Sequence, residues 1–171
     1  ALVAAADFIK NAENLANGLP ILVGSFEINP IFYGGVVAFS IFVGTLTFTG
    51  SFVAFGKLQG FISGQPIVFF GQQILNALLA LALLSGVVMM AMANYDLHTL
   101  FIGIVIISAL LGILLTIPIG GADMPVVISL LNSYSGVAAA ATGFVLLNQG
   151  LIISGALVGA SGLILTNIMC K

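Results

Sequence analysis

The sequence predicts an all-α fold: a polytopic bundle of transmembrane helices with five complete spans and the tail of a sixth. Hydrophobic residues make up 61% of the chain, and its mean hydropathy is +1.30. It carries three basic and five acidic residues, where a soluble domain of this length would carry roughly 40 charges. Because so few charges cannot cover the surface of a 17.5 kDa globule, we expect lipid to contact most of its exterior.

The N-terminal segment, residues 1–8, is apolar but too short to cross a bilayer, which takes about 20 residues. It lacks the charged start of a signal peptide, so we interpret it as the tail of a helix that begins upstream. Residues 11–29 include Glu13, Pro20 and Glu27 and are predicted to form a loop. The first complete span follows at about residues 31–55, and Lys57 closes it.

Four further apolar runs predict the remaining spans of a single membrane domain covering residues 1–171. The short turn at residues 94–96 separates the second span from the third, and Pro118 stops the third. Pro125 suits the first turn of the fourth helix. The four runs lie at about residues 67–93, 97–117, 125–147 and 151–169.

The parity of the spans assigns the charged residues to two faces of the membrane. Two of the three lysines share one face, which the positive-inside tendency predicts to be cytoplasmic, or the equivalent matrix face. That face carries Lys57, Asp123 and Lys171, and the opposite face carries Lys10, Asp96 and His98.

Small and polar residues recur at helical spacing on the fourth span and predict a face turned towards protein or water. The stripe consists of Ser129, Asn132, Gly136, Ala139 and Gly143. Asn132 lies seven residues past Pro125, about 10 Å into the membrane. Its amide can orient a chain of water without titrating, or it can simply hold two helices together.

The first span has a second stripe, formed by Gly44, Thr47, Ser51 and Ala54. Ser51 lies six residues before Lys57, about 9 Å from the same face, so its depth matches that of Asn132. If the two stripes face each other, they form a polar seam between spans one and four. Packing through small residues explains the same pattern.

The fifth span carries Gly155, Gly159 and Gly162, which favour close helix approach. Asp123 lies at the start of the fourth helix, where the helix dipole favours a carboxylate. Alternatively, its charge on a glycine-rich loop could dock a soluble domain.

Several classes of site are not predicted. The single cysteine leaves no disulfide and no metal cluster, and a net charge of −2 gives no footprint for nucleic acid. No phosphate-binding glycine loop follows a strand, and the chain offers no Ser/His/Asp set for nucleophilic catalysis. No ionisable residue lies in the middle of a complete span, so a titrating centre is missing. His98 is interpreted as a surface histidine and Cys170 as a packing residue.

The run GGADMPVV at residues 120–127, continued by LNSYSG at residues 131–136, resembles the membrane domain of the proton-translocating NAD(P) transhydrogenase beta subunit. TFTGS at residues 47–51 with AFGK at 54–57, GALVG at 155–159 and IMCK at 168–171 extend the resemblance along essentially the whole chain. It implies an enzyme that passes hydride between NADH and NADP⁺ while protons cross the membrane.

The resemblance also implies cofactors and partners. The parent enzyme would use NAD(H) and NADP(H) in separate soluble domains, and this fragment would bind neither. The NADP(H)-binding domain would follow residue 171, and an alpha subunit would supply the NAD(H)-binding domain and further membrane helices. A homodimer in a lipid bilayer is expected, in the bacterial inner membrane by preference and alternatively in the mitochondrial one.

Site residues are carried over by motif. The resemblance places Asn132 and Ser51 on the proton path, and the predicted path also includes Ser129, Ser133 and Thr47 on the same two spans. Asp123 matches an aspartate at the face that meets the NADP(H) domain, and Gly155, Gly159 and Gly162 match glycines associated with coupling. Many family members have a membrane histidine on the helix that would end at residues 1–8, and His98 does not match it.

Two other functions remain open from the residues themselves. The chain could belong to a carrier or channel for a small solute, or it could be a membrane anchor that conducts nothing. A dinucleotide-binding domain encoded after Lys171 would favour the transhydrogenase over the carrier.

Overall fold

The computed structural model describes residues 2–17, 19, 21–23, 26–92 and 97–170. Most of these residues are helical, and five helices are long and apolar enough to cross a membrane, which confirms the all-α class. A 3₁₀ turn at Gly121–Asp123 precedes the fifth helix, and a short antiparallel hairpin joins the first two helices. The helices are α1 Leu2–Ala16, α2 Pro30–Leu58, α3 Gln72–Met92, α4 Leu97–Thr116, α5 Met124–Val145 and α6 Gln149–Met169, and the strands are β1 Ile21–Val23 and β2 Phe26–Ile28.

A helix lies at each of the five predicted spans, with one clear difference at the start of the second. Residues 67–71 were predicted to be helical, yet α3 begins only at Gln72. Pro66 precedes this segment, and Gly71 ends it with a φ of 88°, a conformation that interrupts a right-handed helix. Residue 1, the predicted end of the second span at residue 93, the turn at 94–96 and Lys171 lie outside the described residues.

The predicted loop at residues 11–29 is wrong in its first half, because α1 continues to Ala16. Ala4, Phe8 and Leu15 are all buried, at the spacing of one helix face. The Phe8 ring stacks on Phe101 of α4 with centroids 5.4 Å apart. Strands β1 and β2 then form the hairpin in which Ile21 pairs with Ile28. Tertiary packing therefore holds a segment whose polar residues suggested a loop.

Helix α2 is the centre of the bundle, since it contacts α1, α3, α4 and α5. Ser108 of α4 donates a hydrogen bond to the carbonyl oxygen of Phe42 at 2.6 Å. Close approach between α2 and α4 depends on Gly112 of α4, where an added Cβ would lie 2.5 Å from the carbonyl oxygen of Leu46. Helix α6 packs chiefly against α5 and makes no extensive contact with α3 or α4 within the described residues. The polar faces of α2 and α5 are thus brought together in the middle of the bundle.

Candidate functional site

Helices α2, α5 and α6 enclose a groove of about 1410 Å³, and Leu2 and Val3 of α1 also line it. Its walls are mainly apolar, with hydroxyls and one amide at intervals. No side chain among the described lining residues is ionisable. The polar side chains that line it are Thr45, Thr47, Ser51, Ser129, Asn132, Ser135, Thr142 and Ser161.

Ser51 and Asn132 both line this groove with exposed side chains, one from α2 and the other from α5. Thr47 is 6% exposed, and its Oγ1 accepts a hydrogen bond from Ser135 at 3.2 Å. Neither Ser51 nor Asn132 forms a side-chain hydrogen bond that would occupy it in the described structure. The two side chains at matching depth are therefore available to water or to a solute in the groove.

The predicted stripe on α5 does not form a single face. Asn132 and Ala139 line the groove, whereas Gly136 and Gly143 lie against α6. The difference arises because α5 lies between two neighbours, α2 on one side and α6 on the other. Small residues serve both contacts, so their spacing alone does not show which helix each residue faces.

The serines at positions 129 and 133 bond to α6. Ser133 is fully buried, does not line the groove, and donates to the carbonyl oxygen of Gly159 at 2.6 Å. Ser129 lines the groove, and its hydroxyl donates to the carbonyl oxygen of Gly162 at 3.1 Å. Both hydroxyl protons are thus engaged in helix pairing, and Ser133 has no access to the groove.

The three glycines of α6 form the other half of this pairing. A Cβ at Gly155 would lie 2.5 Å from the backbone nitrogen of Ala140, and one at Gly162 would lie 2.8 Å from Ser133 Cβ. Gly155, Gly159 and Gly162 are the buried residues of α6. The geometry gives these residues a packing function, and the coupling role implied by the resemblance stays a prediction.

Asp123 lies in the 3₁₀ turn at the start of α5, with its side chain exposed. It occupies the N-cap position of α5, but its carboxylate makes no capping hydrogen bond. The carboxylate is therefore exposed and does not cap its own helix. His98 is exposed at the start of α4, as expected for a surface histidine. Cys170 is also exposed among the described residues, so its predicted packing role stays a prediction.

The sequence did not reveal the surroundings of Lys57. This lysine was taken to mark a surface, yet it is 4% exposed and donates to the carbonyl oxygens of Ile117, Ile119 and Gln65. One signal in the sequence could have indicated this burial. Lys57 lies in the last turn of a long apolar helix, at the membrane face where the third span also ends.

A second polar cluster joins α1 to α2, and the sequence did not reveal it either. The Tyr33 hydroxyl donates to Asp7 Oδ2 at 2.7 Å, and Asn11 Nδ2 donates to the Tyr33 oxygen at 3.3 Å. The four-residue spacing of Asp7 and Asn11 would have placed them on one helix face, had that segment been predicted as a helix.

The described residues contain no group of three or more His, Cys, Asp or Glu side chains that could hold a metal ion. The groove can position water or a small polar solute through an amide and several hydroxyls. None of the described lining side chains is ionisable, so none of them can take up a proton at neutral pH.

Comparisons with known proteins identify the family. The family model for the NAD(P) transhydrogenase beta subunit matches residues 1–171. Two curated sequences named NAD(P) transhydrogenase subunit beta, both from Rhodospirillum rubrum, are 52% identical to the chain over 154 residues. That match covers 89% of this chain and 33% of each relative, so the chain spans about a third of their length. The chain therefore belongs to the NAD(P) transhydrogenase beta subunit family.

Proposed function

We propose that this chain carries protons across the membrane and couples their passage to hydride transfer between NADH and NADP⁺. The observation that supports it best is the groove in which Ser51 of α2 and Asn132 of α5 line a common space. Membership of the transhydrogenase beta subunit family supports the redox half of the proposal.

The groove residues would act on water. The Asn132 amide offers two donors and one acceptor, and the Ser51 hydroxyl offers a donor and acceptor sites, so together they can order a short file of water. Thr47 and Ser129 would offer acceptor sites to this water, because the Thr47 hydroxyl donates to Gly44 and the Ser129 hydroxyl donates to Gly162. We assign Ser133 to helix pairing instead, because its hydroxyl is buried against Gly159.

A water file that is open to both faces at once would dissipate the proton gradient. Alternating access therefore requires two states of the bundle, in each of which the groove is connected to one face only. No lining residue in the described structure titrates, so the proton-binding group lies on a further element of the parent enzyme. A histidine on the helix to which α1 belongs is the group that the family resemblance suggests.

The proposal includes the partners of the parent enzyme. The relatives are named subunit beta, which implies an alpha subunit as partner. We propose that hydride transfer takes place in separate NAD(H)- and NADP(H)-binding domains, with the NADP(H) domain after residue 171 and docked near Asp123. The chain itself would bind no nucleotide. The assembly would be a homodimer in a bacterial inner membrane, with the mitochondrial inner membrane as the alternative.

The test uses the intact enzyme in sealed vesicles, with internal pH followed after NADH and NADP⁺ are added. We expect an internal pH change that an uncoupler abolishes. In Asn132→Leu this signal should fall to the uncoupled background, while hydride exchange in the soluble domains continues. Asn167→Leu is the matched control, because it removes the same amide from an exposed site on α6 outside the groove.

Two results would contradict the proposal. Normal pumping by Asn132→Leu would remove Asn132 from the path. Hydride transfer without any pH change in the unmodified enzyme would reduce the domain to a membrane anchor.

A further inference from the structure

We propose that Lys57 is a positioning residue that fastens the turn between α4 and α5, and with it Asp123, to the end of α2. This inference rests on the proposed function, because its consequence is a fixed relation between the groove and the surface where the NADP(H) domain would dock. Lys57 lies in the last turn of α2.

The ammonium group of Lys57 is enclosed by backbone oxygens. It donates to the carbonyl of Ile117, to that of Ile119 at 2.8 Å and, more weakly, to that of Gln65 at 3.5 Å. An ammonium group has three N–H donors, and two of them have close backbone acceptors while the third has the more distant Gln65 carbonyl. The Lys57 residue is 4% exposed and its ammonium group donates to backbone oxygens, so it is not a solvated surface lysine.

The carbonyls belong to two segments that the lysine draws together. Ile117 follows the last residue of α4, where the helix dipole places partial negative charge and favours a cation. Ile119 lies in the turn that leads to the 3₁₀ turn at Gly121–Asp123. Gln65 lies in the loop between α2 and α3. Lys57 thus bridges the end of α2, the end of α4 and the loop after α2.

A second contact holds the same two segments. The backbone N–H of Gly121 donates to the carbonyl oxygen of Gly64 at 2.9 Å. From Gly121 the chain continues directly to Asp123, whose exposed carboxylate has no intramolecular cap. Asp123 is therefore tied to α2 by the charged contact at Lys57, and to the loop after α2 by a neutral contact two residues before it.

Helix α2 links the Lys57 contact to the groove. Ser51 lies on α2, six residues before Lys57, which corresponds to about 9 Å along the helix. Because the intervening helix is continuous, a shift of the turn at residues 117–123 can reach the groove wall through the Lys57 contact. Without that contact, we expect the turn to be held less tightly to α2, since the neutral hydrogen bond between Gly121 and Gly64 then remains.

The test is the number of protons moved per hydride transferred, measured in vesicles with the intact enzyme carrying Lys57→Met. Methionine keeps most of the apolar stem and removes the ammonium donors. We expect this ratio to fall below that of the unmodified enzyme, because part of the hydride transfer then proceeds without passage of a proton. Lys57→Arg retains the charge and the donors and should recover most of the ratio. A purely structural role would lower the amount of assembled enzyme without changing the ratio.

A second readout follows the turn itself. With Cys170 replaced by serine, Ala122→Cys places a thiol on an exposed residue next to Asp123 for labelling by an impermeant maleimide. We expect Lys57→Met to raise the labelling rate, because the turn is no longer fastened. If Lys57→Met fails to assemble, Lys57→Gln replaces it, since its amide nitrogen ends one bond before the position of Nζ and should give the same two changes.

The possible outcomes separate this inference from the proposed function. A normal proton ratio and a normal labelling rate in Lys57→Met or Lys57→Gln would overturn the positioning role while the unmodified enzyme still pumps. If the unmodified enzyme moves no protons, the proposed function itself fails, and the labelling experiment alone then decides whether Lys57 fastens the turn.

Discussion

Replacing Gly155 with alanine should force α5 and α6 apart. The new Cβ would lie 2.5 Å from the backbone nitrogen of Ala140 and 2.7 Å from the carbonyl oxygen of Gly136. Both obstacles are backbone atoms inside α5, so neither can yield unless the helix moves. Gly159→Ala is the matched control on the same helix, because its Cβ would meet Val137 Cγ2 at 3.2 Å, and that methyl group can adjust.

The magnitude follows from two opposing effects. Inserting a methyl group into a packed contact costs about 1–3 kcal/mol, and a backbone obstacle places Gly155 at the upper end. In a helix interior, alanine is about 1 kcal/mol more favourable than glycine, which offsets part of this cost. We therefore expect a net loss of about 2 kcal/mol for Gly155→Ala and almost none for Gly159→Ala. Gly103→Ala should be neutral or stabilising, because an added Cβ there meets nothing within 4 Å.

The assay is unfolding of the purified subunit in mixed micelles by sodium dodecyl sulfate, followed by circular dichroism. A difference of about 2 kcal/mol between Gly155→Ala and Gly159→Ala corresponds to roughly a 30-fold change in the unfolding equilibrium constant. Equal stability of these two variants would refute the reasoning, because it would show that α5 and α6 do not depend on backbone contact at residue 155.

Two further substitutions test the polar contacts. Tyr33→Phe should cost about 1–2 kcal/mol in the same unfolding assay, because it removes the 2.7 Å hydrogen bond to Asp7 from a buried site; an unchanged transition would mean that this cluster does not hold α1. Ser133→Ala should cost about 1 kcal/mol of stability and leave proton pumping in vesicles unchanged, since its hydroxyl bonds to Gly159 outside the groove. Loss of pumping in a stable Ser133→Ala enzyme would contradict this assignment and show that Ser133 takes part in proton transfer.

The helices were predictable because hydropathy and span length are local properties of the sequence. The errors occurred where local composition and tertiary structure disagree. Polar residues after position 10 suggested a loop, but Leu15 is fully buried and continues the face formed by Ala4 and Phe8. Apolar residues after Pro66 suggested a helix, but hydropathy does not register the positive φ of Gly71.

The site was predictable to the extent that depth can be counted along a helix. Ser51 and Asn132 were matched by their distance from the same membrane face, and they line one groove. Rotation about the helix axis was harder to predict, because α5 has small residues towards both α2 and α6. Asn132 and Ser133 are adjacent in sequence, yet one faces the groove and the other faces Gly159. The backbone partners of Lys57 could not be predicted, since carbonyl acceptors carry no side-chain signature.

The hydrogen bond between Ser40 and Thr142 has a consequence for how the protein is made. Their hydroxyl oxygens lie 2.7 Å apart in the folded bundle but 102 residues apart in the chain. At ribosomal rates of 5–20 residues per second, α2 enters the membrane roughly 5–20 s before its partner on α5 has been synthesised. During that time the Ser40 hydroxyl lacks its partner on α5, and we expect α2 to be the segment that a membrane insertase shelters until α5 has been inserted.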